Sequence, residues 1–223
     1  MSRLRVLQLD TQFPRPAGDV GSPDSYLDKR EISIIPKAYV GDIITTQAER
    51  FDISSFRSAV AEADEPLIIT SCGFMIYWQD VLASQCRGRF ISSSLTALPD
   101  LCTRYSMSQI LIMTFDAQIL TSDIFSPSLS GFTGPVLGLD KQSHLHQVIS
   151  QNRTSLDREL AAEQICTSLR AVLAHKDIRA ILLECTNLSV YKPDIRQIFN
   201  GEIIDMLSLV NRYDPGLVRD KFR

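Results

Sequence analysis

Leu67-Ile68-Ile69-Thr70-Ser71-Cys72-Gly73-Phe74 is an apolar run that stops at a cysteine, and Ile181-Leu182-Leu183-Glu184-Cys185-Thr186-Asn187-Leu188 repeats the pattern 113 positions later. That interval is close to half of the 223-residue chain, so each cysteine holds a similar place in its own half. Two related α/β lobes follow from this internal repeat. Short apolar runs bounded by turn residues read as strands of a parallel sheet, buried on both faces. In open α/β sheets the ligand sits beyond the carboxyl ends of the strands, so two facing lobes would bring both thiols to one cleft. After each cysteine the chain turns toward a helix, whose first amides lower a thiol pKa and can hold an anion.

Outward from these two units, strands are expected at Arg5–Asp10, Ile32–Tyr39, Leu67–Ser71, Phe90–Ser93, Gln109–Thr114, Val136–Leu139, Ala180–Glu184 and Glu202–Asp205. Helices are expected at Ser54–Ala63, Phe74–Gln85, Leu95–Tyr105, Ala117–Phe125, Leu156–Ala174, Pro193–Phe199 and Met206–Tyr213. The longest has Ser155 as a candidate cap, Asp157 and Glu159 at the positive end of its dipole, and a stripe of Ala162, Cys166, Leu169 and Leu173. The fold class is therefore α/β, with two pseudo-symmetric lobes, each a mostly parallel four-stranded sheet flanked by helices. Two stretches break the regularity. Thr11–Arg30 carries Pro14, Pro16, Pro23, Gly18 and Gly21, and reads either as a wall or lid of the site or as solvated irregular chain. Gln142–Asn152, polar and carrying His144 and His146, reads as a surface connection.

Composition narrows the function classes. Apolar residues make up 44% and charged residues 22%, values of an ordinary globular protein. The 23 Lys and Arg against 26 Asp and Glu, with no basic block, disfavour nucleic-acid and anionic-membrane binding. The longest uncharged apolar stretch, Cys72–Trp78, is far short of the roughly 18 residues a bilayer helix needs. The first ten residues alternate like a strand and lack the apolar run of a signal peptide, so a cytoplasmic location is expected. Five cysteines without a C-x-x-C pair fit neither a disulfide scaffold nor a zinc ribbon. Cys102 and Cys166 lie on apolar helical stripes and read as core, and Cys86 as packing at a helix end. Cys72 and Cys185 sit at strand ends beside small polar residues, where a functional role is favoured.

These motifs resemble the cofactor-independent aspartate/glutamate racemase superfamily over nearly the whole chain. The resemblance rests on Asp10-Thr11 after the first strand, Thr70-Ser71-Cys72-Gly73, Thr114 after the fifth strand and Glu184-Cys185-Thr186-Asn187; Phe13-Pro14-Arg15-Pro16-Ala17-Gly18-Asp19-Val20-Gly21 is similar to a subgroup whose substrates are not well defined. It implies a first lobe of residues 1–107 plus about 199–223 and a second lobe of 108–198. It also implies a racemase or epimerase that moves the α-proton of a small carboxylic acid, an amino acid such as aspartate or glutamate, between Cys72 and Cys185. Racemisation needs two acid/base groups on opposite faces of the substrate, one thiolate and one thiol at each turnover. No metal or other cofactor is required.

Carried over from the resemblance as substrate-binding residues are Asp10, Thr11, Gly73, Phe74, Thr114, Thr186 and Asn187. Gly73 and Phe74 stand where amino-acid racemases more typically have Asn and Thr, and Asn187 stands in place of a His common in glutamate racemases, which puts aspartate or glutamate specificity in doubt. Two further residues are left open. Arg15 either binds the substrate carboxylate or, with slightly more weight, faces solvent between its two prolines. Glu184 either assists Cys185 or simply ends a strand. Alternatives within the superfamily are a hydantoin racemase, an arylmalonate decarboxylase and a maleate isomerase: a single active cysteine would support the last two, and a larger apolar pocket near Phe74, Tyr77 and Trp78 would suit a bulkier acid or hydantoin. A non-catalytic protein that binds a small acid is the alternative of a different class, and a homo-oligomer is left open. No G-x-G-x-x-G or G-x-x-x-x-G-K-[ST] loop follows a strand, which argues against dinucleotide and nucleotide sites. A hydrolase pairing Cys72 with His144, His146 or His175 ranks low, because His175 reads as a helix-end charge and the other two as solvent-facing. His144 and His146 are also a weak metal signal without a nearby ligand.

Overall fold

The computed structural model describes residues 3–27 and 30–223. Asp28 and Lys29, near the end of the expected irregular stretch, and the first two residues lie outside the described residues. Among the described residues, eight strands form two sheets: β1 (Leu4–Leu9), β2 (Arg30–Ile35), β3 (Leu67–Thr70) and β4 (Arg89–Ile91) in one, and β5 (Ile110–Thr114), β6 (Val136–Gly138), β7 (Ala180–Leu183) and β8 (Glu202–Ile204) in the other. Every pairing is parallel, and the orders β2-β1-β3-β4 and β6-β5-β7-β8 are the same topology used twice. The order reverses between β1 and β3 and between β5 and β7, and each reversal opens a crevice at the carboxyl ends of its two central strands. Cys72 and Cys185 lie just beyond those ends. β3, β5 and β7 are buried throughout, the reason their sequences are continuous apolar runs rather than alternating ones.

The helices are α1 (Val40–Ile43), α2 (Ser54–Glu62), α3 (Gln79–Ala83), α4 (Leu98–Arg104), α5 (Ala117–Leu120), α6 (His144–Ser150), α7 (Arg158–Leu173), α8 (Lys192–Arg196) and α9 (Met206–Tyr213). Where an uninterrupted helix was expected over Phe74–Gln85, the chain first runs as 3-10 helix over Gly73–Trp78 and only then as α3; after Cys185 it likewise runs as 3-10 helix, over Thr186–Tyr191, before α8. The tighter winding keeps both segments close to the crevice, with nearly all of their residues buried. Gln142–Asn152 is a helix rather than a surface connection: α6 is capped by Ser143, whose Oγ accepts from the His146 amide, and buries Leu145, Val148 and Ile149. Asp157, not Ser155, caps α7, accepting from the Leu160 amide at 3.0 Å. Cys166 is buried, but Cys102 on α4 is only half-buried. β8 pairs with β7, so the second sheet extends to Ile204, beyond the point near residue 199 where a return to the first lobe was expected. Contacts with the first lobe follow it: Tyr213 donates to the Pro66 carbonyl at 3.0 Å, and the Leu27 amide to the Leu217 carbonyl at 2.9 Å.

Candidate active site

Cys72 and Cys185 line one tight cavity of about 20 Å³, together with Glu184, Asn187 and a largely apolar wall that includes Leu9, Phe13, Phe74, Phe115 and Ile149. Each cysteine is the extended residue immediately before its 3-10 segment. The two turns are bolted together by short polar side chains: Thr186 Oγ1 donates to the Ser71 carbonyl at 2.6 Å, and Ser94 Oγ to the Leu183 carbonyl at 2.7 Å. Thr70 Oγ1 donates to the carbonyls of Cys72 and Ser92, at 3.0 and 2.6 Å. Ser71 Oγ accepts from the Leu9 amide at 3.1 Å, which ties β1 to the end of β3. Thr186 and Ser94 therefore tie the two lobes together while Thr70 and Ser71 brace the end of β3 within the first, and each bond joins groups that would be costly to bury unpaired.

Burial dominates the electrostatics of this cavity. It pushes the Cys72 thiol up to about 12, with the Glu184 charge acting in the same direction, while the amides of Phe74 and Met75 and the charge of Arg15 pull it down. Cys185 is pushed up by burial and by Glu184, against the amides of Asn187 and Leu188. Burial also raises Glu184, to about 7, although Thr114 Oγ1 donates to its Oε2 at 2.6 Å and the Phe115 amide favours its anion. Nothing satisfies Glu184 Oε1.

The residues expected at the site divide into two groups. Gly73, Phe74, Glu184, Thr186 and Asn187 line the cavity with both cysteines. Asp10, Thr11, Thr114 and Arg15 do not. Asp10 Oδ2 accepts from the Lys37 amide at 3.1 Å, and the Thr114 hydroxyl is committed to Glu184. Thr11 Oγ1 donates to the Leu9 carbonyl and accepts from Arg15 Nη2 at 3.1 Å. Arg15 corrects the expectation of a solvent-facing side chain: only 8% exposed, it pairs through Nη1 with Asp19 Oδ1 at 2.9 Å and lies over the Phe13 ring. The stretch after β1 is accordingly packed chain at the site wall, with Phe13 lining the cavity and the Asn152 side chain accepting from the Gln12 and Phe13 amides. Tyr77 and Trp78 stay out of the cavity and pack on Phe125 and Phe51.

Asp19 was missed as a site residue. It is fully buried, and its Oδ2 accepts from Asn187 Nδ2 at 2.7 Å. Its one sequence signal is a charge inside a Gly- and Pro-rich loop. Ile149 was missed because α6 was. No imidazole lines the cavity: His144 Nε2 accepts from the Asp157 amide, and His146 stacks on the outer side of Phe115 with ring centroids 4.5 Å apart. Among the described residues, no three His, Cys, Asp or Glu side chains are grouped to hold a metal ion, and no helix is long and apolar enough to cross a membrane.

Twin parallel four-stranded sheets flanked by helices are a fold that the chain shares with solved racemases. The chain superposes on allantoin racemase from Klebsiella pneumoniae with a TM-score of 0.66 and 13% identity, over 96% of this chain and 86% of that one. For aspartate racemase from Picrophilus torridus the TM-score is 0.57 and the identity 12%, over 100% and 98% of the two chains. In sequence, the chain is 25% identical to a dimethylsulfoniopropionate lyase of Durusdinium sp. clade D, over 96% of this chain and 75% of that protein. No protein-family model matches.

Proposed function

We propose that the protein is an acid/base enzyme, independent of any cofactor, that removes the proton α to the carboxylate or ring carbonyl of a small substrate, with Cys72 and Cys185 as its proton carriers. The observation that carries this reading is that both thiols, on equivalent strands of two lobes, line the same cavity. A binding protein has no need of that arrangement. One thiolate takes the α-proton, and the thiol on the other side returns a proton to the opposite face, which makes the enzyme a racemase or epimerase. The lining favours a substrate with a single carboxylate or an uncharged ring over aspartate or glutamate. Among the described residues, no Lys or Arg lines the cavity to balance a second carboxylate, whereas aromatic and aliphatic side chains dominate it.

A second reading draws on the 25%-identical dimethylsulfoniopropionate lyase. Removal of the α-proton from a carboxylate with a sulfonium group on the β-carbon sets up loss of the sulfide, so elimination shares its first step with racemisation. The rings of Phe13, Phe74 and Phe115 beside Glu184 suit such a cation. One experiment separates the two. The protein is incubated in deuterated water with amino acids, allantoin and dimethylsulfoniopropionate, and proton NMR follows each mixture. Deuterium at the α-carbon with loss of chirality supports the racemase, and release of dimethyl sulfide with acrylate supports the lyase. Activity that survives both Cys72→Ser and Cys185→Ser would refute the thiol mechanism in either form.

A further inference from the structure

The two-thiol reaction leaves Glu184 without a role, yet its position is unusual. Fully buried at the end of β7, it is held on one oxygen by Thr114 and has no partner on the other. The free oxygen lies against the turn that follows Cys72: a Cβ built on Gly73 would stand 2.2 Å from Glu184 Oε1. The carboxyl is thus wedged between the two cysteine turns, next to Cys185 in the chain and beside Gly73 in space. Its charge acts on both sulfurs. Other charged or titratable groups face the cluster from only a few directions. Arg15 acts on Cys72 from the loop after β1, Asp19 faces Asn187, Tyr191 of the 3-10 segment after Cys185 interacts with that thiol, and His146 of α6 stacks on Phe115.

We propose that Glu184 is a positioning acid for the two thiols: the cavity holds one negative charge, which rests on Glu184 and passes to Cys72 or Cys185 when Glu184 takes up a proton in exchange. The step is balanced. A Glu184 carboxylate and a cysteine thiol become a Glu184 carboxylic acid and a cysteine thiolate; one S–H bond breaks, one O–H bond forms, and the net charge is unchanged. The thiolate can then take a proton from carbon. Two coupled ionisations of this kind titrate as a unit. Below the Glu184 ionisation, near 7, the thiolate fraction rises about tenfold per pH unit. Above it, each gain in thiolate is offset by the loss of the Glu184 proton, and the fraction levels off.

This inference rests on the proposed chemistry only for its consequence in turnover, and its test needs no substrate. Alkylation by iodoacetamide is followed across neutral pH, with peptide mass mapping to read Cys72 and Cys185 separately from the other three thiols. The wild-type rates are expected to climb and then flatten near pH 7. In Glu184→Gln the break disappears and the rise continues. Thr114→Val removes the bond that favours the carboxylate, so its break moves to higher pH. An unbroken wild-type profile, or a break that persists in Glu184→Gln, overturns the proposal. Infrared spectra read the same ionisation without a reagent: the carbonyl stretch of a protonated carboxyl should vanish through pH 7 in the wild type and be missing from Glu184→Gln. A wild type with no such band also overturns it. If the break is found but no acid exchanges its α-proton, the proposed reaction fails while the role of Glu184 stands.

Discussion

Asn187 Nδ2 donates to Asp19 Oδ2 at 2.7 Å, a bond that joins the residue two positions after Cys185 to a loop 168 positions earlier in the chain. The other carboxylate oxygen of Asp19 accepts from Arg15 Nη1 and from the Gly21 amide at 2.9 and 2.7 Å. One buried carboxylate thus organises the site wall.

Asp19→Ala should therefore leave a buried guanidinium without its counter-charge and Asn187 without its anchor. Breaking a buried pair by removing one partner costs about 3–5 kcal/mol, and urea unfolding should show a loss of this size. A loss below about 1 kcal/mol, the range of solvent-exposed pairs, would contradict the burial of this network. Arg15→Ala should likewise act on stability, with KM unchanged, because the anion that Arg15 faces is Asp19 and not a substrate.

Gly73→Ala places a methyl group 2.2 Å from both the carbonyl oxygen and Oε1 of Glu184. The backbone atom cannot step aside, so this variant should lose at least the roughly 1–3 kcal/mol that is typical of overpacking and show a lower Tm. Gly41→Ala is the control. A Cβ there meets nothing within 4 Å, and the position is helical, so the same substitution should leave Tm level or raise it. Equal losses at the two positions would show that the contact with Glu184 is not what matters.

The buried carboxyl of Glu184 also makes stability depend on pH. Its folded ionisation, at about 7, is above its ordinary 4.5. The stability it contributes is then fully present below about 4.5 and is lost as pH rises through 7. Glu184→Gln, which cannot ionise, should gain on the wild type over that window by on the order of 3 kcal/mol. Thermal melts at about pH 5, near the foot of the window, and about pH 8, above it, check the sign. A Glu184→Gln advantage that is larger at pH 5, or equal at both, would rule out the raised ionisation.

Lys192 Nζ, buried in the second lobe, donates to Asp205 Oδ1, Ser208 Oγ and the Phe222 carbonyl at 2.9, 2.9 and 3.0 Å. Lys192→Met should cost about 3–5 kcal/mol by stranding the Asp205 charge, and should loosen the chain near Phe222 to proteolysis. Asp205 also caps α9, so Lys192→Met with Asp205→Asn, which keeps a cap without the charge, should recover part of the loss. Additive losses in the double variant would mean that the charge is not the cause.

Much of the fold was legible because burial leaves a one-dimensional trace. Leu67–Thr70 and Ala180–Leu183 are buried on both faces, so their apolar runs declared two strands and two strand-end cysteines. α9 spans Met206–Tyr213, as its period indicated. The site was legible where its residues adjoin those cysteines in the chain: Gly73, Phe74, Thr186 and Asn187. α6 was lost because His144, His146 and Gln147 mask a buried face of only three apolar residues, Leu145, Val148 and Ile149.

The sequence by itself determined where the strands end and which side chains stand at those ends, since both depend on hydrophobicity and spacing over a few residues. The tertiary structure alone decided which polar group meets which. Thr114 bonds Glu184 rather than lining the cavity, Asp10 turns to the Lys37 amide, and Asp19 joins Arg15 to Asn187. Apart from Arg15 and Asp19, four positions apart, these partners lie tens to more than a hundred residues from one another, and a buried polar group takes whichever complement the packed lobes bring within reach. No local pattern records that choice, because hydrogen-bond reach is a property of the assembled fold.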